Sequence, residues 1–326
     1  MAARSAVALA AASALCVPAA ASSASEAAYP IRPLRWVVPY APGGGGDILA
    51  RSIAVKLTEA WGQPVIIDNR PGGGTIIGTD LVAKAPRDGH TILLATNTHA
   101  INPSLHAKLP YDSIRDFAAV TILATSPNVL LANPAAMPAR TLAEFIVVAK
   151  SSPGKLNYGS SGNGGTGHLA MEMLKSMTGI SVVHVPYNGG GPAMKALLSG
   201  EVSVLFNNIL AAVPQIKAGR LGALGVTGRS RSSALPDVPT IAEAGVAGFE
   251  ATAWFCIFAP AGTPPAIVTK LNGEVARILK LPEISGRLVG QGLEPVGNSP
   301  DEFSRFLRSE IVKWNKVIKD AGIVAG

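Results

Sequence analysis

The sequence predicts a two-lobed α/β protein in which each lobe is a mostly parallel sheet flanked by helices. Short apolar runs alternate with amphipathic stretches along most of the chain, and this alternation is typical of strand–helix–strand units. Glycine-rich turns join a predicted strand to a predicted helix at three distant places, residues 42–47, 160–168 and 184–192. The tail returns to the pattern of the first part, so we expect the chain to build one lobe, then a second, and then to complete the first.

In the first part of the chain, apolar runs bounded by glycine, proline or polar residues have the length of buried strands. They predict strands at residues 36–40, 65–67, 91–95, 121–123 and 129–131. Two helices are expected directly after glycine clusters, at residues 47–57 and 75–84.

The middle of the chain begins with Thr141 and Glu144, whose spacing is that of a capping box and predicts a helix running to Lys150. Strands and helices then alternate. The strands are predicted at residues 156–158, 182–185, 202–206 and 221–226, and the helices at 166–178, 192–198 and 213–218.

The tail is predicted to hold a strand at residues 253–259, a helix at 265–279 and a short strand at 293–296. A second capping box, Ser299 with Glu302, starts a long C-terminal helix. The apolar face of that helix consists of Phe303, Phe306, Leu307, Ile311, Trp314 and Ile318. We place the two crossovers near residues 123–131 and 248–254. One lobe then comprises residues 29–126 and 252–326, and the other comprises residues 127–251.

The first 28 residues have the composition of a cleaved secretory signal peptide, because an apolar stretch follows Arg4 and small residues suited to cleavage come next. The stretch is too short for a membrane span, and no later run approaches the roughly 18 apolar residues that a span needs. The alternatives are a buried N-terminal helix and a lipoprotein signal ending at Cys16, although Leu15 occupies the place of a small residue. Cleavage leaves Cys256, which we expect to be a buried strand residue without a disulfide partner.

Charge and histidine content exclude some classes of function. The net charge of +7 is spread over a chain with only 15% charged residues and no block of Lys or Arg, so we expect no nucleic-acid partner. The five histidines form no pair or cluster with metal-ligand spacing, so we expect no metal site. We expect His90 to be a turn residue and His184 to be a half-buried strand residue.

The glycine turns predict anion binding. The start of a helix exposes free N–H groups and a partial positive charge, and glycine lets a ligand approach the backbone closely. Two such turns, at residues 42–47 and 160–168, indicate two lobes that grip one small anion. Asp47 closes the first turn, and it either caps its own helix or fixes the shape of the turn and accepts from a ligand.

Other interpretations of the second turn lack the residues that they need. Residues 162–167 fit the dinucleotide pattern, but no acidic residue lies between positions 182 and 192, so we expect no nicotinamide cofactor and no other cofactor. No Gly-Lys-Ser or Gly-Lys-Thr sequence of a phosphate loop occurs. A secreted hydrolase using Ser160 or Ser161 with His168 stays an alternative, although the nucleophile-elbow pattern is absent.

Several motifs in order resemble the substrate-binding proteins of tripartite tricarboxylate transporters, the Bug or TctC family. The resemblance spans residues 29–323. It is carried by Tyr-Pro-Ile-Arg-Pro at residues 29–33, Val-Pro-Tyr-Ala-Pro-Gly-Gly-Gly-Gly-Asp at 38–47, Asn-Arg-Pro-Gly-Gly-Gly at 69–74, Asp-Gly-His-Thr-Ile-Leu at 88–93, Tyr-Gly-Ser-Ser-Gly-Asn-Gly at 158–164, Val-Pro-Tyr-Asn-Gly-Gly at 185–190, Asp-Val-Pro-Thr-Ile-Ala-Glu-Ala-Gly at 237–245 and Ala-Pro-Ala-Gly-Thr-Pro at 259–264.

The resemblance implies a periplasmic Venus-flytrap protein whose two glycine loops hold a ligand carboxylate between the lobes, while a distal polar group is reached through ordered waters. It implies these ligand-binding candidates: Tyr40, Gly43, Gly44, Gly45, Asp47, Ser160, Asn163, Gly165, Thr166, His168 and Asn188. Thr96 and Asn97 are added because they follow the third predicted strand. The family usually has aspartate where this chain has Asn207, so we expect weaker selection for an amino-acid ammonium and easier acceptance of plain dicarboxylates.

The expected function is therefore that of a periplasmic, monomeric solute-binding protein that presents a small carboxylate to a membrane permease and is not an enzyme. A ligand sensor that docks on a membrane receptor is the alternative from another class. The residues leave open which carboxylate is bound, and dicarboxylates, aromatic carboxylates, amino acids and nicotinate-like acids are all compatible with them.

Overall fold

The structure is a computed structural model, and it describes residues 29–40, 42–43, 45–187 and 190–323. The predicted signal peptide, residues 1–28, and two ligand-binding candidates, Gly44 and Asn188, lie outside the described residues. Within these ranges, no helix is both long and apolar enough to cross a membrane.

The described strands form two separate sheets. In chain order the strands are β1 (Leu34–Val38), β2 (Val65–Asn69), β3 (Thr91–Thr96), β4 (Phe117–Ser126), β5 (Asn128–Ala132), β6 (Asn157–Ser160), β7 (Val183–Pro186), β8 (Val204–Asn208), β9 (Gly222–Val226), β10 (Ala253–Pro260) and β11 (Glu294–Pro295). The first sheet has the order β11-β4-β10-β3-β1-β2, and the second has the order β7-β6-β8-β5-β9. The predicted two-lobed α/β class is confirmed.

The prediction of mostly parallel sheets is wrong, because both sheets are mixed. β1 pairs in parallel with β2 and β3, and β6 with β7 and β8. The pairs β10–β3, β10–β4, β11–β4, β5–β8 and β5–β9 are antiparallel. The physical reason is the double crossing of the chain. β4 leads out of the first sheet and β10 leads back into it, so these neighbours run in opposite directions.

Helices cover the sheets. They are α1 (Gly45–Trp61), α2 (Ile76–Ala83), α3 (Thr98–Leu105), α4 (Leu142–Ser151), α5 (Thr166–Thr178), α6 (Gly190–Ser199), α7 (Ile209–Lys217), α8 (Pro265–Leu279), α9 (Pro282–Gly290) and α10 (Pro300–Asp320). α5 and α8 have the predicted bounds. α3 and α9 were not predicted, since α3 contains Pro103 and α9 contains Gly286, both poor helix formers.

The two predicted capping boxes differ in the structure. At α10, Ser299 Oγ accepts from the Glu302 N–H, and the Glu302 carboxylate accepts from the Ser299 N–H, so the box is complete. At α4, Thr141 accepts from the Glu144 N–H at 3.2 Å, but the Glu144 carboxylate accepts from the Arg140 N–H at 2.7 Å instead of from Thr141. The box at α4 is therefore only half made.

The interior matches the predicted strands and helix faces. Cys256 is fully buried in β10, as expected. In α10, Phe303, Leu307, Trp314 and Ile318 are buried, whereas Phe306 and Ile311 are half-buried. The buried face also includes Glu310, which the apolar spacing did not predict.

A hydrogen-bonded junction joins the two sheets. β4 passes into β5 with only Pro127 between them. The Asn128 N–H donates to Thr227 Oγ1 at 2.9 Å, and the Thr227 carbonyl accepts from the Ala251 N–H at 3.1 Å. Asn97 continues the junction, because its amide donates to the Thr252 carbonyl at 3.0 Å and its side-chain oxygen accepts from the Trp254 N–H at 2.8 Å. Both crossing segments are thus tied together where they pass between the sheets.

Candidate functional site

A cleft of about 640 Å³ opens between the two sheets. This volume is within the range of small-molecule sites. Helices and strands that pack on both sheets line the cleft. Its described lining comprises Tyr40, Gly45, Gly46, Ile48, Thr96, Asn97, Thr98, Thr166, Asn208, Leu210, Ala211, Ala253, Trp254, Phe255, Gln291 and Leu293.

Helix N-termini contribute to the walls of this cleft. α1 begins at Gly45, α3 at Thr98 and α5 at Thr166, and all three residues line the cleft. The cap of α5 is Gly165, so no side chain of the cap satisfies the first N–H groups of that helix. Free N–H groups and the partial positive charge at these helix starts favour an anion in the cleft.

Asp47 holds the first glycine loop from behind and does not line the cleft. Its Oδ2 accepts from the Gly43 N–H at 2.9 Å and from Arg51 Nε at 3.0 Å, and its Oδ1 accepts from Asn69 Nδ2 at 3.0 Å. The hydrogen bond from Arg51 is the main reason why the pKa of this buried carboxyl is lowered to about 2. Asp47 is therefore ionised and fully used in shaping the loop.

Ser160 and His168 hold the second glycine loop in the same way. The Gly162 N–H donates to Ser160 Oγ at 3.1 Å, and the Gly164 N–H donates to His168 Nδ1 at 3.0 Å. His168 Nδ1 is therefore unprotonated. Burial, followed by the neighbouring His184 ring stacked at 4.0 Å, lowers the pKa of His168 to about 4.

The hydrolase alternative needs Ser160 or Ser161 to face His168, and the structure gives Ser160 another partner. Ser160 Oγ lies 2.6 Å from Nε2 of His184, and Ser160 is completely buried. His184 lies in β7 and is half-buried, as predicted. The Ser160–His184 pair is behind the loop, where it supports the backbone rather than reaching the cleft.

Hydroxyl groups form a polar cluster on the side of the cleft that belongs to the first sheet. Tyr40 Oη lies 2.6 Å from Thr96 Oγ1 and 3.2 Å from Thr98 Oγ1. Burial raises the pKa of Tyr40, so its hydroxyl is protonated and can donate. This cluster lies beside the start of α1 and adds neutral hydrogen-bonding groups to the cleft.

The candidates thus fall into two groups. Tyr40, Gly45, Thr96, Asn97 and Thr166 are together in the cleft lining. Five others are outside the lining: Gly43, Asp47, Ser160, Gly165 and His168 form or support the loops.

Asn163 and Asn207 are also outside the lining. Asn163 is exposed at the second loop. Asn207 is buried, and its amide donates to the Gly190 carbonyl at 3.1 Å while its side-chain oxygen accepts from the Asn208 N–H at 2.9 Å. Its side chain therefore fixes the start of α6 relative to β8.

Sequence reasoning missed much of the apolar lining. Leu210 follows the strand that ends at Asn208, so the ends-of-strands argument, which placed Asn208 at the ligand edge, could have included it. Trp254 lies at the predicted second crossover, Phe255 in the strand predicted at residues 253–259, and Leu293 at the start of the strand predicted at residues 293–296. Gln291 follows α9, which was not predicted, and no signal in the sequence placed any of these residues in the site.

Gly167 allows α5 to lie close to β8. A Cβ at this position would lie 2.5 Å from the Phe206 carbonyl oxygen, which is backbone and cannot turn away. Gly167→Ala is expected to destabilise the protein by about 1–3 kcal/mol because the start of α5 must shift. Thermal unfolding checks this. Gly273→Ala in α8 is the control, since its Cβ meets nothing within 4 Å; it should instead stabilise by about 0.5–1 kcal/mol. Equal effects of the two changes would contradict the close packing.

The chain is similar to proteins that share this architecture. The family model described as the tripartite tricarboxylate transporter family receptor matches residues 49–323. A UPF0065 protein of Pseudomonas sp. (strain P51) is 41% identical over 292 residues, which are 89% of this chain and 87% of the relative. Protein BugT of Bordetella pertussis is 36% identical over 304 residues, 93% of each chain.

Proteins of known structure that are similar to this chain support the same family. An R. palustris protein with adipate is 41% identical, with a TM-score of 0.79 over 91% of this chain and 99% of that chain. A Rhodopseudomonas palustris protein with bound malate is 35% identical, with a TM-score of 0.75 over 89% of this chain and 100% of that chain. With two mixed sheets, a cleft between them and a match over most of its length, the chain belongs to the tripartite tricarboxylate transporter receptor family of solute-binding proteins.

Proposed function

We propose that this protein captures a small carboxylate in the cleft between its two lobes and delivers it to a membrane permease. The observation that carries the proposal is the pair of helix starts, at Gly45 and Thr166, on opposite walls of one cleft. A carboxylate at this place would accept hydrogen bonds from free backbone N–H groups away from bulk water. Family relatives solved with adipate and malate support a carboxylate as the ligand.

In this proposal, Asp47, Ser160 and His168 position the loops, and the ligand contacts come from Gly45, Thr166 and the Tyr40 hydroxyl cluster. Gly43, Asn163 and Gly165 shape the two loops around the ligand, and Gly44 and Asn188 stay predictions as ligand contacts. Thr96 belongs to the hydroxyl cluster, whereas Asn97 and Asn207 fix neighbouring backbone. No cofactor is involved.

The test is a thermal-shift titration of the mature chain, residues 29–326, with mono-, di- and tricarboxylates. At 100 times its Kd, a ligand should add about 2.7 kcal/mol of stability, which raises Tm by several degrees. Gly45→Asp should abolish the shift, because it places a carboxylate at the start of α1, where the Cβ meets nothing within 4 Å. Gly45→Asn is the matched neutral control and should retain most of the shift. Equal binding by the two variants would argue against an anion at this helix start.

The proposal includes lobe closure. Residues 29–126 with 252–326 would move as one lobe and residues 127–251 as the other, about the junction at Asn128, Thr227 and Ala251. Small-angle scattering with and without a ligand that raises Tm should show a smaller radius of gyration in the bound form. An unchanged radius would mean that the ligand binds without closure.

Delivery and location complete the proposal. Residues 1–28 would direct export and be cleaved, so that the monomeric protein works in the periplasm beside its permease. Uptake of a labelled carboxylate should fall in cells that lack this protein and recover on its return. Unchanged uptake, together with a lost transcriptional response to the acid, would instead support the sensor alternative.

A further inference from the structure

We propose that a second cavity, behind the junction between the two sheets, binds an organic cation with an apolar body, and that its occupant favours closure of the cleft. We call this cavity the hinge pocket. It has a volume of about 340 Å³, which is within the range of small-molecule sites. The site itself does not depend on the proposed function, whereas its effect on closure rests on that function.

The hinge pocket has walls from both sheets and touches both crossing segments. Pro127, between β4 and β5, and Thr252, just before β10, line it. One wall consists of residues 228–230, which follow β9 of the second sheet, and of Glu250. The opposite wall comes from β4, β11 and α10, which belong to the first sheet or pack on it. A movement of one sheet relative to the other therefore changes the width of this pocket.

The cleft and the hinge pocket lie on opposite faces of the second crossing segment. Successive residues of an extended chain point to opposite faces. Ala253 and Phe255 line the cleft, whereas Thr252 and Trp254 line the hinge pocket. The buried indole of Trp254 also reaches the cleft, so it forms a partition between the two cavities. A rotation about the junction that narrows the cleft on one face would widen the hinge pocket on the other.

The charges in the hinge pocket favour a cation. Its charged lining residues are Arg229, Glu250 and Glu294, so the lining carries more negative than positive charge. Arg229 Nε donates to Glu250 Oε2 at 3.2 Å. Within the part of the chain that the structure describes, the carboxylate of Glu294 has no such partner, and burial raises its pKa. An ammonium group beside Glu294 would supply the missing charge-assisted hydrogen bond.

The rest of the first-sheet wall is largely apolar, which favours an organic cation over a hydrated metal ion. Ile122, Val296 and Phe306 line the pocket, and the ring of Phe306 packs edge-on against Trp254 with the ring centroids 5.7 Å apart. Apolar side chains cannot replace the hydration of a metal ion. They can, however, cover a hydrocarbon body.

This apolar wall determines the direction of the effect on closure. Widening of the hinge pocket would expose more of the wall to water, which costs free energy. An apolar body in the pocket would cover it again, so the occupant should bind the closed form more tightly than the open form. The carboxylate in the cleft also favours the closed form in our proposal. Each ligand should therefore raise the affinity of the other.

The site is tested by titrating the mature chain with benzylammonium and with its neutral counterpart, benzyl alcohol, while the indole N–H signal of Trp254 is followed by NMR. Glu294→Gln keeps the size of the side chain and removes its charge. It should weaken the binding of benzylammonium at least about fivefold and leave that of benzyl alcohol unchanged. Glu283→Gln is the matched control, because Glu283 is 53% exposed on α9 and does not line the pocket, and it should change neither. Absence of benzylammonium binding, or equal binding by the two variants, would overturn the site.

The effect on closure is tested by small-angle scattering with benzylammonium at a concentration that saturates the natural chain. The radius of gyration should decrease for the natural chain and stay unchanged for Glu294→Gln at the same concentration. In calorimetric titrations, the affinity for adipate should rise about fivefold or more when benzylammonium is bound. An unchanged radius with the cation bound would overturn the effect on closure. If neither adipate nor malate binds while benzylammonium binds and reduces the radius, the inference stands and the proposed function loses its support.

Discussion

Acidification from pH 6.5 to pH 4 is expected to lower the free energy of unfolding by several kcal/mol. His99 and His168 are both buried, and burial lowers the pKa of each ring from 6.5 to about 4. Between these pH values the unfolded chain binds more protons than the folded chain, so stability falls as the pH falls. Each ring contributes about 3 kcal/mol to this loss, and neither adds to it once the pH is below 4.

The surroundings of each ring explain why its pKa is lowered. His99 Nε2 donates to the Ser113 carbonyl at 2.9 Å, and its ring packs against Phe117 and Phe258. Burial lowers the pKa of His99, and the hydrogen bond to Ser113 and the charge of Asp112 offset only part of this shift. Burial is the main cause of the lowered pKa of His168, and the charges of His184 and Lys175 also oppose its protonation. Glu172 favours protonation of His168, since its Oε1 lies 4.0 Å from His168 Nε2, but it offsets only part of the shift. Protonated His168 Nδ1 could no longer accept from Gly164, so ligand affinity should fall over the same range.

The measurement is urea unfolding at pH 8, 6.5, 5 and 4 for the natural chain, His99→Gln and His168→Gln. Each variant should lose about half of the pH dependence between 6.5 and 4, when it is compared with its own stability at pH 8. Asp47 affects stability in a lower pH range, because its pKa is lowered to about 2. Its stabilising contribution is lost only as the pH falls from about 4 toward 2. Variants that are as acid-sensitive as the natural chain between pH 6.5 and 4 would refute the assignment to these rings.

Glu310→Leu is expected to cost about 2–6 kcal/mol, because it leaves two buried indole N–H groups without an acceptor, at about 1–3 kcal/mol each. Glu310 Oε2 accepts from Trp254 Nε1 and Trp314 Nε1, both at 3.0 Å, and its other oxygen pairs with Lys313. Trp254 also lines the cleft, so this carboxylate joins α10 to the wall of the binding site. Urea unfolding, followed by tryptophan fluorescence, measures the loss.

Glu310→Gln is the matched control, since it keeps a side-chain oxygen at the same place and removes only the charge. It should lose less than half of what Glu310→Leu loses. A leucine variant that is as stable as the glutamine variant would mean that the two indole groups gain nothing measurable from the carboxylate.

The sequence predicted elements well where local signals were strong. α5 follows a glycine cap and α8 has proline in its first turn, and both have their predicted bounds. Strand direction was not predictable in the same way, because the antiparallel pairing of β3 with β10 joins residues about 160 positions apart. Periodicity predicts that a strand exists, but it does not predict which strand pairs with it or in which direction.

The candidate site, too, was predicted only where a local sequence signal was present. The glycine loops identified both helix starts, but the roles of Asp47, Ser160 and His168 behind the loops depend on distances that no spacing reveals. The apolar wall was missed because Leu210, Phe255 and Leu293 come from three separate parts of the chain. Each is an ordinary apolar residue in its local context, and only the packing of the two sheets brings them together.

The position of β10 between β4 and β3 has a consequence for how the chain folds. All the strands of the second sheet, β5 to β9, are present once residue 226 has emerged during synthesis. The first sheet must wait for residues 253–260, because until then β3 and β4 have no strand between them. The inserted lobe can therefore fold first, while the outer lobe stays open until the last quarter of the chain arrives. Such long-range pairing slows folding, so the closing of the outer lobe should be the slow step in the folding of this chain.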